Sequence, residues 1–338
     1  MQRHSCLSGV AKTVNKHFVS GVMAIMASLA IFPVSVHAQA DYPNKPIRMV
    51  IPWPPGQATD LAGRVVAQEL SKVLGQSVVT ENKAGAGGTI GTDQVARSAP
   101  DGYTILMASS GPVSVAPLFQ KTSYNPQKDL LPVAMVGLSP YVLVTNLNFP
   151  ANDIKQFVEL VRANPGKYTF ASSGTGATAH LIAESFNSAA GLKSVHIPYK
   201  GSSPGLTDVV GGQVNYSIET AAATMPLINS GRLKGLGVSL QKGSLVTPGM
   251  EPFAKTVAPG FDMGAWLGVM VPAGTPPAVV DKLAAGIEKI MKSEEVRQAF
   301  QKIAVEVDYR PAAAFKTYLD NTSKTFGDVI KVNNIKAE

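Results

Sequence analysis

Two segments of the sequence combine a glycine-containing turn with the start of a helix, and the chemistry of that pattern is anion binding. The first is "WPPGQATDLAGRVV" from Trp53, after the apolar run "IRMVIP"; the second is "GTGATAHLIAESF" from Gly174, after "YTFASS". A helix N-terminus directs unpaired backbone N–H groups and the positive end of the helix dipole at one spot. An ordinary strand-to-helix connection has the same pattern, and the first segment alone favours that interpretation.

The first turn also predicts how its helix begins. Proline gives a sheet no N–H and glycine allows unusual backbone angles, so Pro54, Pro55 and Gly56 are expected to end the strand. Thr59 or Asp60 can then cap a helix whose apolar residues recur at helical spacing. Trp53, beside this turn, is equally compatible with a cleft wall and with the core.

The second turn matches the dinucleotide fingerprint G-x-G-x-x-A in "GTGATA". That fingerprint needs an acidic residue at the end of the next strand, but "SVHIPYK" ends in Tyr199 and Lys200. "GAGGTIG" fails the pattern because Ile90 stands where glycine is required. No nucleotide cofactor is expected.

"GSSPG", residues 201–205, matches the G-x-S-x-G nucleophile elbow, which leaves a secreted serine hydrolase using Ser203 as the alternative function. Such a hydrolase needs an acid and then a histidine later in the chain, whereas His180 and His196 both precede Ser203. Pro204 also lacks the N–H that the oxyanion hole requires. A turn followed by a helix start accounts for the motif without catalysis, and no enzyme is predicted.

A metal site is not expected either. His180 and Glu184 lie one helical turn apart, but no third ligand is near in sequence. The single cysteine, Cys6, lies in the N-terminal leader, so the mature chain has no thiolate ligands, cysteine nucleophile or disulfides.

The leader, residues 1–40, has the pattern of a secretory signal peptide. Basic residues precede the apolar run "FVSGVMAIMASLAIF", and "VHA" and "AQA" offer cleavage after Ala38 or Ala40. Three of the 30 basic and none of the 23 acidic residues precede position 41, which leaves 27 against 23, a net charge of +4. That mild surplus, without basic runs, argues against nucleic acid as a partner.

Strand-like and helix-like segments alternate after the leader, which predicts an α/β fold. Thr275 is expected to cap a helix with Pro276 at its first position. The predicted strands are "IRMVIP", "SVVTEN", "TILMASS", "YVLVTN", "YTFASS", "SVHIPY" and "VNYSIE". The predicted helices are 59–73, 153–163, 177–189, 204–210, one from 276, 294–302 and 311–332.

Four long stretches together resemble one family. "YPNKPIRMVIPWPPGQATD", "ENKAGAGGTIGTDQVARSAPDGYTILMASSG", "PYKGSSPGLTDVVGGQV" and "VPAGTPPAVVDKL" are similar to the substrate-binding receptors of tripartite tricarboxylate transporters, the Bug-type periplasmic proteins. The resemblance implies a two-lobed, hinged binding protein of the type II-like, Venus-flytrap kind. It also implies a small organic acid as ligand, a membrane carrier as partner, a periplasmic location, and neither catalysis nor a cofactor. We expect a monomer with lobe I at 41–142 plus 265–338 and lobe II at 143–264.

In the family, the two turns supply backbone N–H groups to one carboxylate. Carried over, this predicts carboxylate capture by N–H groups of 56–59 and 174–178 with hydroxyls nearby, and selectivity from side chains further out. At the position of Gln57 the family commonly has a second glycine, and near Glu219 it commonly has an Asp. Glu219 is expected either to lie in the cleft or to end a strand and face solvent. The predicted ligand-binding residues are Trp53, Pro55, Gly56, Gln57, Ala58, Thr59, Ser109, Ser110, Ser173, Gly174, Thr175, Gly176, Ala177, Thr178, Tyr199, Glu219 and Thr220.

Overall fold

Two mixed β-sheets with helices around them make up the fold in the computed structural model, which describes residues 42–332 and 334–335. The predicted signal peptide lies outside the described residues. The strands are β1 (Ile47–Ile51), β2 (Val78–Asn82), β3 (Thr104–Ser109), β4 (Leu130–Ser139), β5 (Tyr141–Thr145), β6 (Thr169–Ser172), β7 (Val195–Pro198), β8 (Tyr216–Thr220), β9 (Lys234–Val238), β10 (Ala265–Pro272) and β11 (Glu306–Pro311).

The helices include three short ones and a single π-helical turn, Gly111–Val115. Within the described residues, none of the helices has the length and apolar content to cross a membrane. They are α1 (Ala58–Leu74), α2 (Thr89–Ala96), α3 (Ala116–Phe119), α4 (Pro126–Asp129), α5 (Ile154–Arg162), α6 (Thr178–Ala190), α7 (Ser202–Val210), α8 (Ala221–Asn229), α9 (Phe253–Thr256), α10 (Pro277–Met291), α11 (Glu294–Lys302) and α12 (Ala312–Val332).

The first sheet has the strand order β11-β4-β10-β3-β1-β2 and the second β7-β6-β8-β5-β9. In each sheet the strand before a glycine turn, β1 or β6, lies between two parallel neighbours. The chain passes from the first sheet to the second at Pro140 and returns between β9 and β10. The predicted lobe boundary after residue 142 therefore falls inside β5.

Each sheet packs on its own apolar core. Trp266, on β10 of the first sheet, is fully buried beside Phe315 of α12, with ring centroids 5.1 Å apart. Phe157 and Tyr216 are fully buried against each other in the second, at 4.9 Å. Burying side chains of this size is the main favourable term in folding, so each sheet is rigid at the base of its glycine turn.

Helix α1 shows how the sequence determines these elements. Ala62, Val66 and Leu70 recur at every fourth residue and are fully buried on one face of the helix. The helix ends at Gly75, whose φ of 68° is left-handed and whose N–H is donated to the Ser71 carbonyl at 3.1 Å.

The two predicted helix caps were wrong. The N-cap of α1 is Gln57, not Thr59 or Asp60, and no side chain caps this end. The N-cap of α10 is Pro276, and the Thr275 hydroxyl is donated instead to the Pro272 carbonyl at 2.7 Å.

Candidate functional site

Asp60 fixes the turn between β1 and α1. Its carboxylate accepts hydrogen bonds from the Gly56 N–H at 2.9 Å and the Asn82 side-chain amide at 2.8 Å, and it pairs with Arg64 at 2.9 Å. Asn82, at the end of β2, also donates to the Trp53 carbonyl at 2.9 Å. Burial acts to raise the pKa of Asp60, but the bonds from Arg64, Asn82 and Gly56 outweigh it and hold that pKa below its usual value.

The backbone N–H groups without a partner at this turn are those of the first residues of α1. Gly56 has φ +86°, and its N–H is taken by Asp60. The first helical bond runs from the Leu61 N–H to the Gln57 carbonyl at 2.9 Å. In the part of the chain that the structure describes, the N–H groups of Ala58 and Thr59 have no acceptor, so they remain available to an anion.

The second turn is fixed in a similar way, by side chains that bind its glycines. The Gly174 N–H is donated to the Ser172 hydroxyl at 3.2 Å, and the Gly176 N–H to Nδ1 of His180 at 3.1 Å. The Ser172 hydroxyl shares a further hydrogen bond of 2.7 Å with Nε2 of His196. Both glycines have positive φ, +133° and +72°, which only glycine adopts readily.

His180 and His196 stack face to face behind this turn, with ring centroids 3.8 Å apart and planes 8° from parallel. Burial and the neighbouring His180 lower the pKa of His196 to about 3, so its imidazole is neutral at physiological pH. Nε2 of His180 lies 3.8 Å from Glu184, but the described residues contain no group of three metal-binding side chains. The pair is a structural support for the turn.

Residues at the N-termini of α1 and α6 line the same junction between the two sheets. The hydroxyls of Ser110, after β3, and Thr178, the first residue of α6, lie 3.2 Å apart and join the sheets. The Trp53 indole N–H is donated to the Ser109 hydroxyl at 2.8 Å, so Trp53 forms a wall at this junction rather than part of the core.

A cavity of about 40 Å³, called the inner cavity here, lies at this junction. Ten predicted site residues line it: Trp53, Gln57, Ala58, Thr59, Ser109, Ser110, Ser173, Thr178, Glu219 and Thr220. The sequence analysis missed six further lining residues: Gly111, Ser139, Tyr141, Ser202, Ala265 and Leu267.

A second cavity of about 400 Å³, called the outer cavity here, adjoins the first. Pro55 and Gly56 line it, together with Gln57 and Thr220, which line both cavities. The other predicted site residues, Gly174, Thr175, Gly176, Ala177 and Tyr199, line neither cavity.

Tyr199, Gly174 and Gly176 were predicted to bind the ligand, but their polar groups are bonded to neighbouring residues. The Tyr199 hydroxyl is donated to the Asp208 carboxylate at 2.6 Å. The N–H groups of Gly174 and Gly176 are satisfied by side chains behind the turn, as is that of Gly56 in the first turn.

Glu219 is the carboxylate in the inner cavity. It is 2% exposed, its carboxylate accepts the Thr220 N–H at 2.9 Å, and the nearby hydroxyls of Ser202 and Ser173 act with that bond to lower its pKa. No Lys, Arg or His among the described residues forms an ion pair with it, and burial raises its pKa despite these effects. The alternative that Glu219 faces solvent is therefore wrong.

Ser203 lacks the partners of a hydrolytic nucleophile. It is exposed at the second position of α7, which begins at Ser202. The two histidines in the described chain are engaged with Ser172 and Gly176 instead. The G-x-S-x-G match thus marks the start of a helix.

Comparison with known proteins adds a family to this geometry. The family model for the tripartite tricarboxylate transporter family receptor matches residues 62–335. This chain belongs to that receptor family. Protein BugT of Bordetella pertussis (strain Tohama I) is 40% identical to this receptor over 284 residues, or 83% of this chain and 86% of BugT.

Solved structures agree with the assignment. The periplasmic binding protein BugD has a TM-score of 0.79 at 33% identity, over 88% of this receptor and 100% of BugD. The R. palustris protein Rpa4515 with adipate has a TM-score of 0.82 at 26% identity, over 87% and 99% of the two chains. MatC from Rhodopseudomonas palustris with bound malate has a TM-score of 0.77 at 29% identity, over 86% and 100%.

These findings confirm the resemblance and the two-lobed α/β fold of a periplasmic binding protein. Family and fold indicate a solute-binding receptor of the periplasm rather than an enzyme.

Of the residues that the sequence analysis missed, Ser202 had a signal, because it lies in the turn motif "GSSPG". Ser139 and Ala265 had none: they are brought to the cavity by the pairing of β4 with β10, where they lie opposite each other.

Proposed function

We propose that this chain captures a small organic carboxylate between its two lobes and delivers it to the membrane carrier of a tripartite transporter. One observation carries the proposal: α1 follows a strand of the first sheet and α6 a strand of the second, and the N-termini of both lie at the inner cavity. Two positive dipole ends, together with the open N–H groups of Ala58 and Thr59, favour an anion without a buried cation. Family membership and relatives with bound adipate and malate support a carboxylate as that anion.

The lobes are proposed to be 41–142 plus 265–338 and 143–264, as the resemblance implies. The two sheets support such a division, whereas the chain from Pro43 onward forms one compact unit by its contacts. Since a carboxylate would be held from both sheets, binding should favour the closed form. Small-angle scattering with saturating ligand should show a smaller radius of gyration; an unchanged profile with ligand demonstrably bound would count against hinge closure.

Glu219 and Gln57 are proposed to select among carboxylates. A ligand carboxylate beside an ionised Glu219 would meet a buried like charge, whereas an amino or hydroxyl group of the ligand would donate a hydrogen bond to it. A protonated Glu219 would remove the repulsion. The Gln57 side chain lines both cavities and limits the size of a ligand that can extend from one into the other. Gln57 acts where the inner cavity meets the outer one, whereas Glu219 lies in the inner cavity itself, beside the captured group.

A thermal-shift screen of aliphatic and aromatic acids tests the proposal. An acid at about 100 times its Kd should add about 2.7 kcal/mol to the free energy of unfolding. If no acid stabilises the protein at any concentration, the receptor proposal fails and a scaffold without small ligands is the better description. Ester hydrolysis that disappears in Ser203→Ala would contradict it from the other side.

Two variants separate capture from selection. Thr178→Val removes a hydroxyl of the inner cavity and should weaken every carboxylate about fivefold, as expected for one hydrogen bond. Glu219→Gln should instead change the ranking of ligands by calorimetry. Thr145→Val is the control, because the buried Thr145 hydroxyl has no hydrogen-bond partner and lines neither cavity.

A further inference from the structure

A third cavity, called the α12 crevice here, lies alongside α12 and shares no lining residue with the inner or the outer cavity. Its walls come from α12, from the segment between the π-helical turn and the start of β4, and from Met270 on β10. Its volume is about 890 Å³, within the roughly 300–1,000 Å³ of most small-molecule sites. The crevice can therefore hold a small molecule at a place that carboxylate capture does not use.

One wall of the crevice, α12, is anchored in the cores of both sheets. Phe315 is fully buried against Trp266 in the first core, and Phe326, about three turns further along, is 2% exposed in the second. Because both parts of the helix are held, α12 cannot move inward to fill the space beside it. The crevice is therefore preformed.

Another wall, residues 120–127, is fixed by hydrogen bonds. The Tyr124 hydroxyl is donated to the Pro112 carbonyl at 2.5 Å, and the Arg97 side chain donates to the Ser123 carbonyl at 2.7 Å. A ligand that enters the crevice does not have to order this segment, which removes one of the usual costs of binding.

Much of the crevice surface is apolar. Val113, Leu130 and Met270 line it as buried side chains, whereas Leu118 and Leu131 line it with 44% and 37% of their surface exposed. A molecule in the crevice would cover those exposed leucines, and covering apolar surface is favourable in proportion to its area.

The charged side chains that line the crevice are two lysines and two aspartates, so together they add no net charge. Lys316 and Asp320 pair with each other at 3.1 Å, and the Asp129 carboxylate accepts the Asn125 N–H at 2.7 Å. Lys121 is exposed, where water screens its charge. A charged ligand would lose its hydration here without a buried opposite charge, so the crevice favours an uncharged molecule.

One buried hydroxyl at the crevice has a proton to donate. Ser114 is 1% exposed, and its oxygen accepts the Trp266 indole N–H at 3.2 Å. Within residues 42–332 and 334–335, the proton of that hydroxyl has no acceptor. Since a serine hydroxyl donates one hydrogen bond besides those it accepts, Ser114 favours a ligand that carries an acceptor.

We propose that the α12 crevice is a second ligand site, for an uncharged and predominantly apolar molecule that carries a hydrogen-bond acceptor such as a ketone oxygen. The apolar body lies against Leu118, Leu131 and Met270, and the acceptor faces the Ser114 hydroxyl. The site does not require a carboxylate in the inner cavity, so it extends the receptor beyond the proposed function.

The probe that tests this site is prodan, an uncharged naphthalene ketone whose fluorescence shifts to the blue in apolar surroundings. Titrated with the receptor in the absence of any acid, prodan should show a blue shift that saturates at one molecule per chain. A response that does not saturate would overturn the proposal.

Competition against bound prodan tests the ligand class. 2-Acetylnaphthalene keeps the ketone, whereas 2-naphthoate has the same rings and a carboxylate in its place. The ketone should displace prodan, and 2-naphthoate should do so at least about tenfold less well, because its charge loses hydration in the crevice. If 2-naphthoate competes as well as the ketone, the crevice does not select uncharged molecules and the proposal is wrong.

Two variants test the position of the probe. Ala313 lines the crevice from an exposed position on α12, so Ala313→Trp should fill it and weaken prodan binding at least about tenfold. Ala314→Trp is the matched control, because Ala314 is equally exposed on the same helix and does not line the crevice; it should have no effect. Ser114→Ala removes the donor and should weaken prodan about fivefold, as expected for one hydrogen bond.

The outer cavity is the competing location for the probe. Ala223 is half-buried on α8 and lines that cavity, and Ala223→Trp should leave prodan binding unchanged. Loss of binding in Ala223→Trp with full binding in Ala313→Trp would place the probe in the outer cavity and overturn the crevice as a site. Neither outcome bears on carboxylate capture, which the thermal-shift screen tests separately.

Discussion

Replacing Glu219 with glutamine should stabilise the ligand-free protein at neutral pH. The carboxyl is 2% exposed and has no cationic partner among the described residues, and burial raises its pKa from the ordinary value. A carboxyl whose folded-state pKa exceeds its unfolded value contributes its full stability below the unfolded pKa and loses it as pH rises through the folded pKa. Glutamine does not titrate and avoids that loss.

The magnitude follows from two opposing terms. Each unit by which burial raises the pKa of Glu219 costs about 1.4 kcal/mol of stability at neutral pH. The glutamine oxygen can still accept the Thr220 N–H and its NH₂ can be donated to a neighbouring serine hydroxyl, so hydrogen bonding is retained but loses its charge assistance. A net gain is expected at pH 7, and each 1 kcal/mol of it would raise the melting temperature of a chain of this size by about 2 °C.

Thermal unfolding of the wild type and Glu219→Gln from pH 4 to pH 8 measures this directly. The difference in melting temperature should be near zero at pH 4 and grow as pH rises. Glu159→Gln is the matched control, because Glu159 is exposed on α5 and forms no ion pair within the described chain. A lower melting temperature for Glu219→Gln at pH 7, or a difference that does not depend on pH, would refute the reasoning.

Three further predictions concern the supports of the site. Asp60→Asn should cost about 2–3 kcal/mol at pH 7, and the loss should vanish as pH falls below 3.8 through the lowered pKa of Asp60; urea unfolding at several pH values measures it. Gly268→Ala should cost about 1–3 kcal/mol in the same assay because its Cβ would lie 2.5 Å from the Phe315 ring, whereas Gly327→Ala, with its nearest atom at 3.8 Å, should be tolerated. The pKa of His196 is lowered to about 3, so stability that depends on its neutral form is present above pH 6.5 and is lost as pH falls towards about 3. His196→Gln should therefore reduce the slope of the unfolding free energy against pH in that window by about 1.4 kcal/mol per pH unit.

The predicted strands and most predicted helices could be placed from the sequence because their signals are local. Helix α11 matches the prediction at both ends, since Ser293 caps it and its apolar spacing is clear. Four strands, β4, β9, β10 and β11, were missed; the buried residues of β4 and β10 are largely continuous rather than alternating, and β4 contains Pro132. Their pairing is not local, so Ser139 and Ala265 could not be placed at the cavity from sequence.

The glycines of the two turns show why the chemistry was only partly predictable. The resemblance predicted capture by the N–H groups of 56–59 and 174–178, and within those ranges the N–H groups of Gly56, Gly174 and Gly176 are satisfied by side chains. Two of those side chains, Asp60 and His180, lie four residues further along, inside the helices that the turns begin. A helix that binds its own preceding turn fixes the direction of its first free amides, so the glycines contribute backbone shape and the helices contribute the donors. Under the proposed capture of a carboxylate, this spacing would provide preorganisation: the donors would be oriented before the anion arrives, and binding would not need to order them.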